Sequence, residues 1–120
     1  MPSTATKTKR PSIEELERKA KVAEAAVLHA RADVLRLEDR LERVAVERAG
    51  VTVKAAGSKT EAMRLLEELD KERQALERSL TLATGAVAEL EVDYQEAEDA
   101  LDAERDRLET ERERKERRKL

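Results

Sequence analysis

The sequence predicts an all-α fold, an antiparallel two-helix coiled-coil hairpin whose second helix is much longer than the first. Apolar residues recur at alternating steps of three and four along both halves of the chain. Between the two halves, the stretch GVTVKAAGSKTEA (residues 50–62) breaks this repeat and holds two of the three glycines. Charged residues make up 44% of the chain and aromatic residues 1%, a composition that suits a narrow helix–helix seam better than a thick core.

Residues 1–11 are predicted to form a flexible basic N-terminal arm, with Lys7, Lys9 and Arg10 and no acidic residue. The arm lacks the apolar run of a signal peptide, and no other stretch is apolar over the ~18 residues of a membrane span. The absence of cysteine suits a reducing compartment. We therefore expect no membrane association and a location in the cytoplasm or within a viral particle.

The first helix is predicted over residues 12–49. Ser12 is a favourable N-cap, and Glu15 completes a capping box. The steps of three and four run through about five heptads, which predicts one face buried against another helix. The larger members of this predicted seam are Ile13, Leu16, Val27, Val34, Leu37, Leu41 and Val44.

Residues 50–59 are predicted to be the hairpin turn. The Val-Thr-Val run followed by Gly57-Ser58-Lys59-Thr60 superficially resembles a strand and a phosphate-binding loop. That motif requires four residues between its glycines and a lysine directly after the second, whereas six residues separate Gly50 from Gly57 and Ser58 precedes the lysine. The glycines instead indicate a reversal of the chain, with Ser58 or Thr60 capping the next helix and the two valines covering the end of the seam. Exposed valines at a tip would also suit a contact with another protein.

The second helix is predicted to begin near residue 60 and to pair with the first over residues 60–98. Its repeat keeps its phase through Gly85, which favours one continuous helix over a break at that glycine. The predicted seam on this helix is formed by Leu66, Leu69, Leu76, Leu80, Val87, Leu90 and Tyr94. Arg73 interrupts the seam and is expected to reach Asp33 or Asp70.

The register of the two helices is predicted from side-chain size. Pairing Val44 with Leu66 and Leu16 with Tyr94 places small residues opposite large ones in most of the outer layers. The alternative is that each helix pairs with a copy of itself in another chain. In this register residues 99–120 project past the first helix as a helical overhang with a basic end, and Glu104 lies beyond the reach of that helix. The overhang is a candidate docking segment for a partner, with Leu101, Leu108, Arg112, Arg114, Arg117 and Arg118.

A second set of apolar residues lies off the seam and is a candidate interface for another helix. It consists of Val22, Leu28, Leu35 and Leu82. A two-helix hairpin gains nothing in water from exposed leucines, so this face predicts self-association or a protein partner.

The sequence offers no combination of residues for catalysis, a cofactor or a metal site. His29 is the only histidine, and the chain holds no cysteine to share a metal with it. The carboxylates alternate with lysine and arginine at helical spacing, which is typical of a solvated helix face, and Tyr94 is expected in the seam. We therefore expect no enzymatic activity and no small-molecule substrate.

Three classes of non-catalytic function fit this pattern. In composition and layout the chain resembles scaffold-type and virion-assembly proteins of tailed bacteriophages, which implies a structural role in assembly. A nucleic-acid-associated protein that uses its basic ends is the second class, although acids alternate with the bases of residues 105–120 and no aromatic residue is available there for stacking. The third is a regulator or chaperone that inserts its tip into a partner. Prefoldin-type chaperones are similar in having two long helices joined at a tip, but with a longer connecting β-hairpin.

Overall fold

The computed structural model describes residues 10–119, which form three helices: α1 (Ile13–Ala49), α2 (Val53–Ala56) and α3 (Lys59–Lys119). The helix α1 packs against the longer α3, and residues 10–119 contain no strand. The predicted fold class, an antiparallel two-helix coiled-coil hairpin with a much longer second helix, is confirmed. Residues 1–9 of the predicted basic arm lie outside the described residues, as does Leu120.

Serine side chains begin both long helices, as the sequence predicts. Ser12 Oγ accepts a hydrogen bond from the Glu15 amide at 3.2 Å, and Ser58 Oγ accepts one from the Glu61 amide at 3.1 Å. Each serine therefore satisfies an amide that has no partner within the first helical turn. The helix α3 continues without a break through Gly85, since a glycine in a helix costs only about 1 kcal/mol relative to alanine.

The turn contains a short helix that the sequence did not predict. Thr52 caps α2, and its Oγ1 accepts a hydrogen bond from the Ala55 amide at 3.1 Å. The helix ends at Gly57, whose φ of 95° places it in the left-handed region that favours glycine. The Val-Thr-Val run is therefore not extended throughout. Thr52 is extended, but Val53 already belongs to the helix.

The chain divides into two compact units, one of residues 27–89 and one formed by both ends of the chain. In the first unit Val27, Val44 and Ala62 are buried; in the second Leu16, Ala20 and Leu101 are buried. The fourteen residues of the predicted seam are all buried or half-buried. Within residues 10–119 no large side chain is completely buried, because a pair of helices covers only one face of each member.

The predicted register is wrong in the unit formed by the chain ends. Leu101 is only 4% exposed and lies in a groove that it shares with Glu17 and Ala20 of α1. The Arg105 guanidinium lies 3.3 Å from Glu17 Oε1. The part of α3 that was expected to project freely after residue 98 therefore packs against α1 at least as far as Arg105.

The register of residues 27–89 differs from the prediction in the same direction. Arg48 Nε lies 2.8 Å from Asp70 Oδ1, and Val44 lines a groove with Arg73, which follows its predicted partner Leu66 by one heptad. Both units are thus shifted by about one heptad. Such a shift returns every core position to the seam, so the apolar repeat alone does not distinguish the two registers.

Glu104 is also placed differently from the prediction that it lies beyond the reach of the first helix. Its side chain is only 12% exposed and accepts a hydrogen bond of 2.6 Å from Arg107. Arg10, just before α1, lies 4.0 Å from its other carboxylate oxygen. The carboxylate at this core position is tolerated because two guanidinium groups compensate its charge.

Replacing Leu101 by alanine tests the observed register. We expect Leu101→Ala to lower the free energy of unfolding by about 2–4 kcal/mol, because it removes a buried side chain from the seam. Leu82→Ala is the matched control, since Leu82 is 76% exposed, and it should change stability by less than about 0.5 kcal/mol. Urea unfolding followed by circular dichroism measures both. Equal stabilities of the two variants would contradict the packing of Leu101 against α1.

Gly57 is expected to be needed in the turn, whereas Gly50 is not. At Gly57 an alanine would adopt a left-handed conformation, so Gly57→Ala should destabilise the hairpin by about 1–2 kcal/mol. At Gly50 a Cβ would meet only the carbonyl oxygen of Glu47 at 3.5 Å and that of Val46 at 3.7 Å, which is ordinary contact. Thermal unfolding of the two variants gives the comparison, and a larger loss for Gly50→Ala would contradict the described turn.

Candidate interaction surfaces

The tip of the hairpin combines small apolar residues with two lysines. Val51 and Ala56 are half-buried, while Val53, Lys54 and Lys59 are exposed. Of the two valines predicted to cover the end of the seam, only Val51 is therefore partly buried.

A patch of apolar side chains lies on the outer side of α1. We call Leu28, Ala32 and Leu35 the leucine patch. Leu28 is 56% exposed and Leu35 is 63% exposed, and Ala32 is half-buried between them. Each leucine follows a seam valine by one residue, so the spacing of seven between the leucines places both on one side of the helix. The two side chains thus form a continuous apolar strip along α1.

The other residues predicted for this interface do not belong to the leucine patch. The ion pair between Arg40 and Glu72, at 3.2 Å, marks one flank of the hairpin in residues 27–89. On α3, Leu82 follows Glu72 by ten residues and therefore lies within about 80° of this flank. On α1, Leu35 lies about 140° from Arg40 and is therefore turned away from the same flank. Val22 is exposed but lies about 120° from Leu28 around α1. The predicted interface is therefore divided between different sides of the helices.

The predicted docking segment divides into a packed part and an exposed part. Leu101 is buried within the hairpin itself, and Leu108 lines a shallow groove with Ile13 and Arg112. The four arginines named for this segment are all exposed: Arg112, Arg114, Arg117 and Arg118. Leu108, which is 40% exposed, and the basic end of α3 are the exposed part of the predicted docking segment.

Ion pairs between the helices were missed by the sequence analysis. Arg40 pairs with Glu72 and Arg48 with Asp70 in one unit, and Arg105 pairs with Glu17 in the other. Opposite charges at the positions that flank the seam are the signal that could have found them. These charge pairs can be identified in the sequence only when the register of the two helices is known. Arg73 does approach Asp70, one of its two predicted partners, at 3.8 Å.

Hydrogen bonds from arginine lower the pKa values of three carboxyl groups. The bond from Arg48 lowers the pKa of Asp70, the bond from Arg64 lowers that of Glu61, and the bond from Arg107 lowers that of Glu104. These groups remain charged at neutral pH. Asp70 accepts its bond from the other helix, whereas Glu61 and Glu104 each accept theirs from an arginine three residues later in α3.

Tyr94 combines a seam position with a polar contact. Its hydroxyl donates a hydrogen bond to Glu24 Oε2 at 3.2 Å. Burial raises the pKa of this phenol, and the nearby carboxylates of Glu98 and Glu24 raise it further. The ring is half-buried, so Tyr94 joins the two helices by packing and by a hydrogen bond.

Comparison with known proteins finds no matching family model, no matching characterised protein and no matching solved structure. Within residues 10–119, no helix has the length and apolar character needed to cross a bilayer. A functional proposal for this protein therefore rests on the geometry of its surfaces.

The pKa of Asp70 provides a test of the Arg48 contact. A carboxyl group whose folded pKa is lowered stabilises the fold above its ordinary pKa, and this contribution disappears as the pH falls through the folded value. We expect Arg48→Gln to raise the pKa of Asp70 toward its ordinary value, while nearby Arg73 keeps part of the depression. Carboxyl carbon chemical shifts measured during an acid titration follow this directly. Arg43→Gln is the control, and an unchanged Asp70 pKa in Arg48→Gln would contradict the ion pair.

Proposed function

We propose that this protein is a non-enzymatic assembly protein that acts through protein–protein contacts made by the leucine patch of α1. The two-helix hairpin is its scaffold, and the patch is the surface that another helix covers. A component of a larger particle, such as a virion, is the setting that its composition and layout favour.

The observation that carries this proposal is the balance of buried and exposed apolar side chains. Among the described residues six apolar residues are buried, whereas nine large apolar side chains are exposed. Burying apolar area is worth about 25 cal/mol per Å², so leucines left in water forgo stabilisation that a partner helix would supply. Scattered apolar residues are ordinary on a protein surface, but two leucines in consecutive heptads on one helix form a strip that is suited to helix packing.

The limited core supports the same proposal. The seam residues of both units are mostly half-buried, because two helices leave the sides of their shared seam open to water. Small helical proteins commonly compensate for a thin core by oligomerisation. A further helix on the outer side of α1 would add apolar burial without disturbing the seam.

The leucine patch is tested by replacing both leucines with lysine. We expect Leu28→Lys together with Leu35→Lys to leave the helical circular dichroism signal nearly unchanged, because neither side chain contributes to the seam. The sedimenting species should fall from an assembly of chains to a single chain, since burial of each leucine contributes about 1.5–3 kcal/mol.

The matched control is Val22→Lys together with Leu82→Lys, which adds the same charge at two exposed apolar positions outside the patch. This variant should associate like the wild type. A wild-type protein that sediments as one chain at every concentration would contradict the proposal. So would a Leu28→Lys, Leu35→Lys variant that assembles as strongly as the wild type.

A further inference from the structure

We propose that the partner of the leucine patch is the same patch of a second copy, with the two α1 helices antiparallel. This inference rests on the proposed function and adds to it the identity, orientation and register of the partner.

The outer side of α1 carries a second, shorter apolar repeat. Ala25, Leu28, Ala32 and Leu35 follow one another at steps of three, four and three within the continuous helix α1. This is the spacing of a coiled-coil seam. The alternation of alanine and leucine lets two such helices approach closely, because each leucine fills the space left by an alanine.

The repeat is complementary to itself when a second α1 is placed antiparallel. A register that sets Leu28 opposite Ala32 of the second copy also sets Leu35 opposite Ala25. By the two-fold symmetry of such a pair, each match occurs twice. The contact then has four layers, and each combines one small residue with one large one.

The charged residues that flank the repeat match in the same register. Lys21 falls opposite Asp39 of the second copy, and Arg18 falls opposite Glu42. Symmetry doubles both pairs, so four contacts between opposite charges enclose the apolar layers. This agreement is independent of the apolar match, because the alanine and leucine positions alone define the register.

The four charges are available for such contacts. Arg18, Lys21, Asp39 and Glu42 are all exposed. Within residues 10–119 none of the four forms an ion pair. In contrast, Arg40 and Arg48 of the same helix are paired with α3. The hairpin therefore leaves unpaired the charges that the second copy would meet.

A parallel arrangement of the two copies is disfavoured by the same residues. It would set each leucine against the identical leucine, Lys21 against Lys21 and Asp39 against Asp39. Like charges placed opposite each other across an interface are destabilising. The antiparallel register is the one that the sequence of this face supports.

Disulfide trapping tests the orientation, since the chain contains no cysteine of its own. Chains carrying Ala25→Cys and chains carrying Leu35→Cys are mixed and mildly oxidised. We expect the mixed disulfide between positions 25 and 35, because these positions are opposite each other. Each variant alone should stay uncrosslinked, since identical positions would be offset by about 15 Å along the helices, well beyond disulfide reach.

A charge exchange tests the register. Lys21→Glu should weaken self-association by about tenfold, because it sets two acidic residues opposite each other at both symmetric sites. Adding Asp39→Lys to that variant should restore wild-type association. Lys19→Glu is the control: it makes the same charge change at an exposed position outside the repeat and should have little effect.

The outcomes separate this inference from the proposed function. Suppose that the wild type associates and that Leu28→Lys with Leu35→Lys abolishes the association. Disulfides between identical positions, or a charge exchange that does not restore association, would then overturn the antiparallel register alone. A wild-type protein that remains a single chain overturns both. The mixed disulfide together with the restored association supports both.

Discussion

The packing of α1 against α3 along one apolar seam is the interaction on which the other features of this molecule depend. The seam fixes which side of each helix is buried, and its register decides which charged residues meet across the hairpin. Arg105 reaches Glu17 and Arg48 reaches Asp70 only in the register that also buries Leu101 and Val44. The seam also determines what stays outside, because a helix that buries one stripe against a single neighbour must expose the rest.

A heptad repeat limits the possible registers of two helices to steps of seven residues, but it does not select one of them. Sliding α3 by seven residues returns apolar residues to apolar positions, so burial energy distinguishes such registers weakly. The distinction comes from residues that break the repeat. Glu104 is tolerated at a core position where Arg107 and Arg10 compensate its charge, and Arg73 lies near Val44 with Asp70 and Glu77 within 4 Å. Polar residues in a seam thus specify register at some cost in stability.

Much of the fold could be predicted from the sequence, because local rules govern it. The steps of three and four gave both long helices, and Ser12 and Ser58 marked their beginnings by a hydrogen bond that depends only on nearby residues. The register could not be predicted in the same way, since it depends on contacts between residues as far apart as Glu17 and Arg105. Small-against-large matching favoured the pairing of Leu16 with Tyr94, and it gave no weight to Leu101 as a core residue. Leu28 and Leu35 were identifiable as exposed because each follows a seam valine. Their separation from Leu82 became clear only when the ion pair between Arg40 and Glu72 identified one flank of the hairpin.

The leucine patch links the architecture to the proposed role in assembly, because it is the apolar surface that remains after the seam is satisfied. Its place on α1, and its separation from Leu82, follow from the sides that the seam buries, whereas the ion pairs across the seam follow from the register. The most direct measurement of that register is a set of nuclear Overhauser contacts in protein with labelled methyl groups. The account predicts contacts between the methyl groups of Leu16 and those of Leu101. Contacts from Leu16 to the ring of Tyr94, with Leu101 free of contacts to α1, would contradict it.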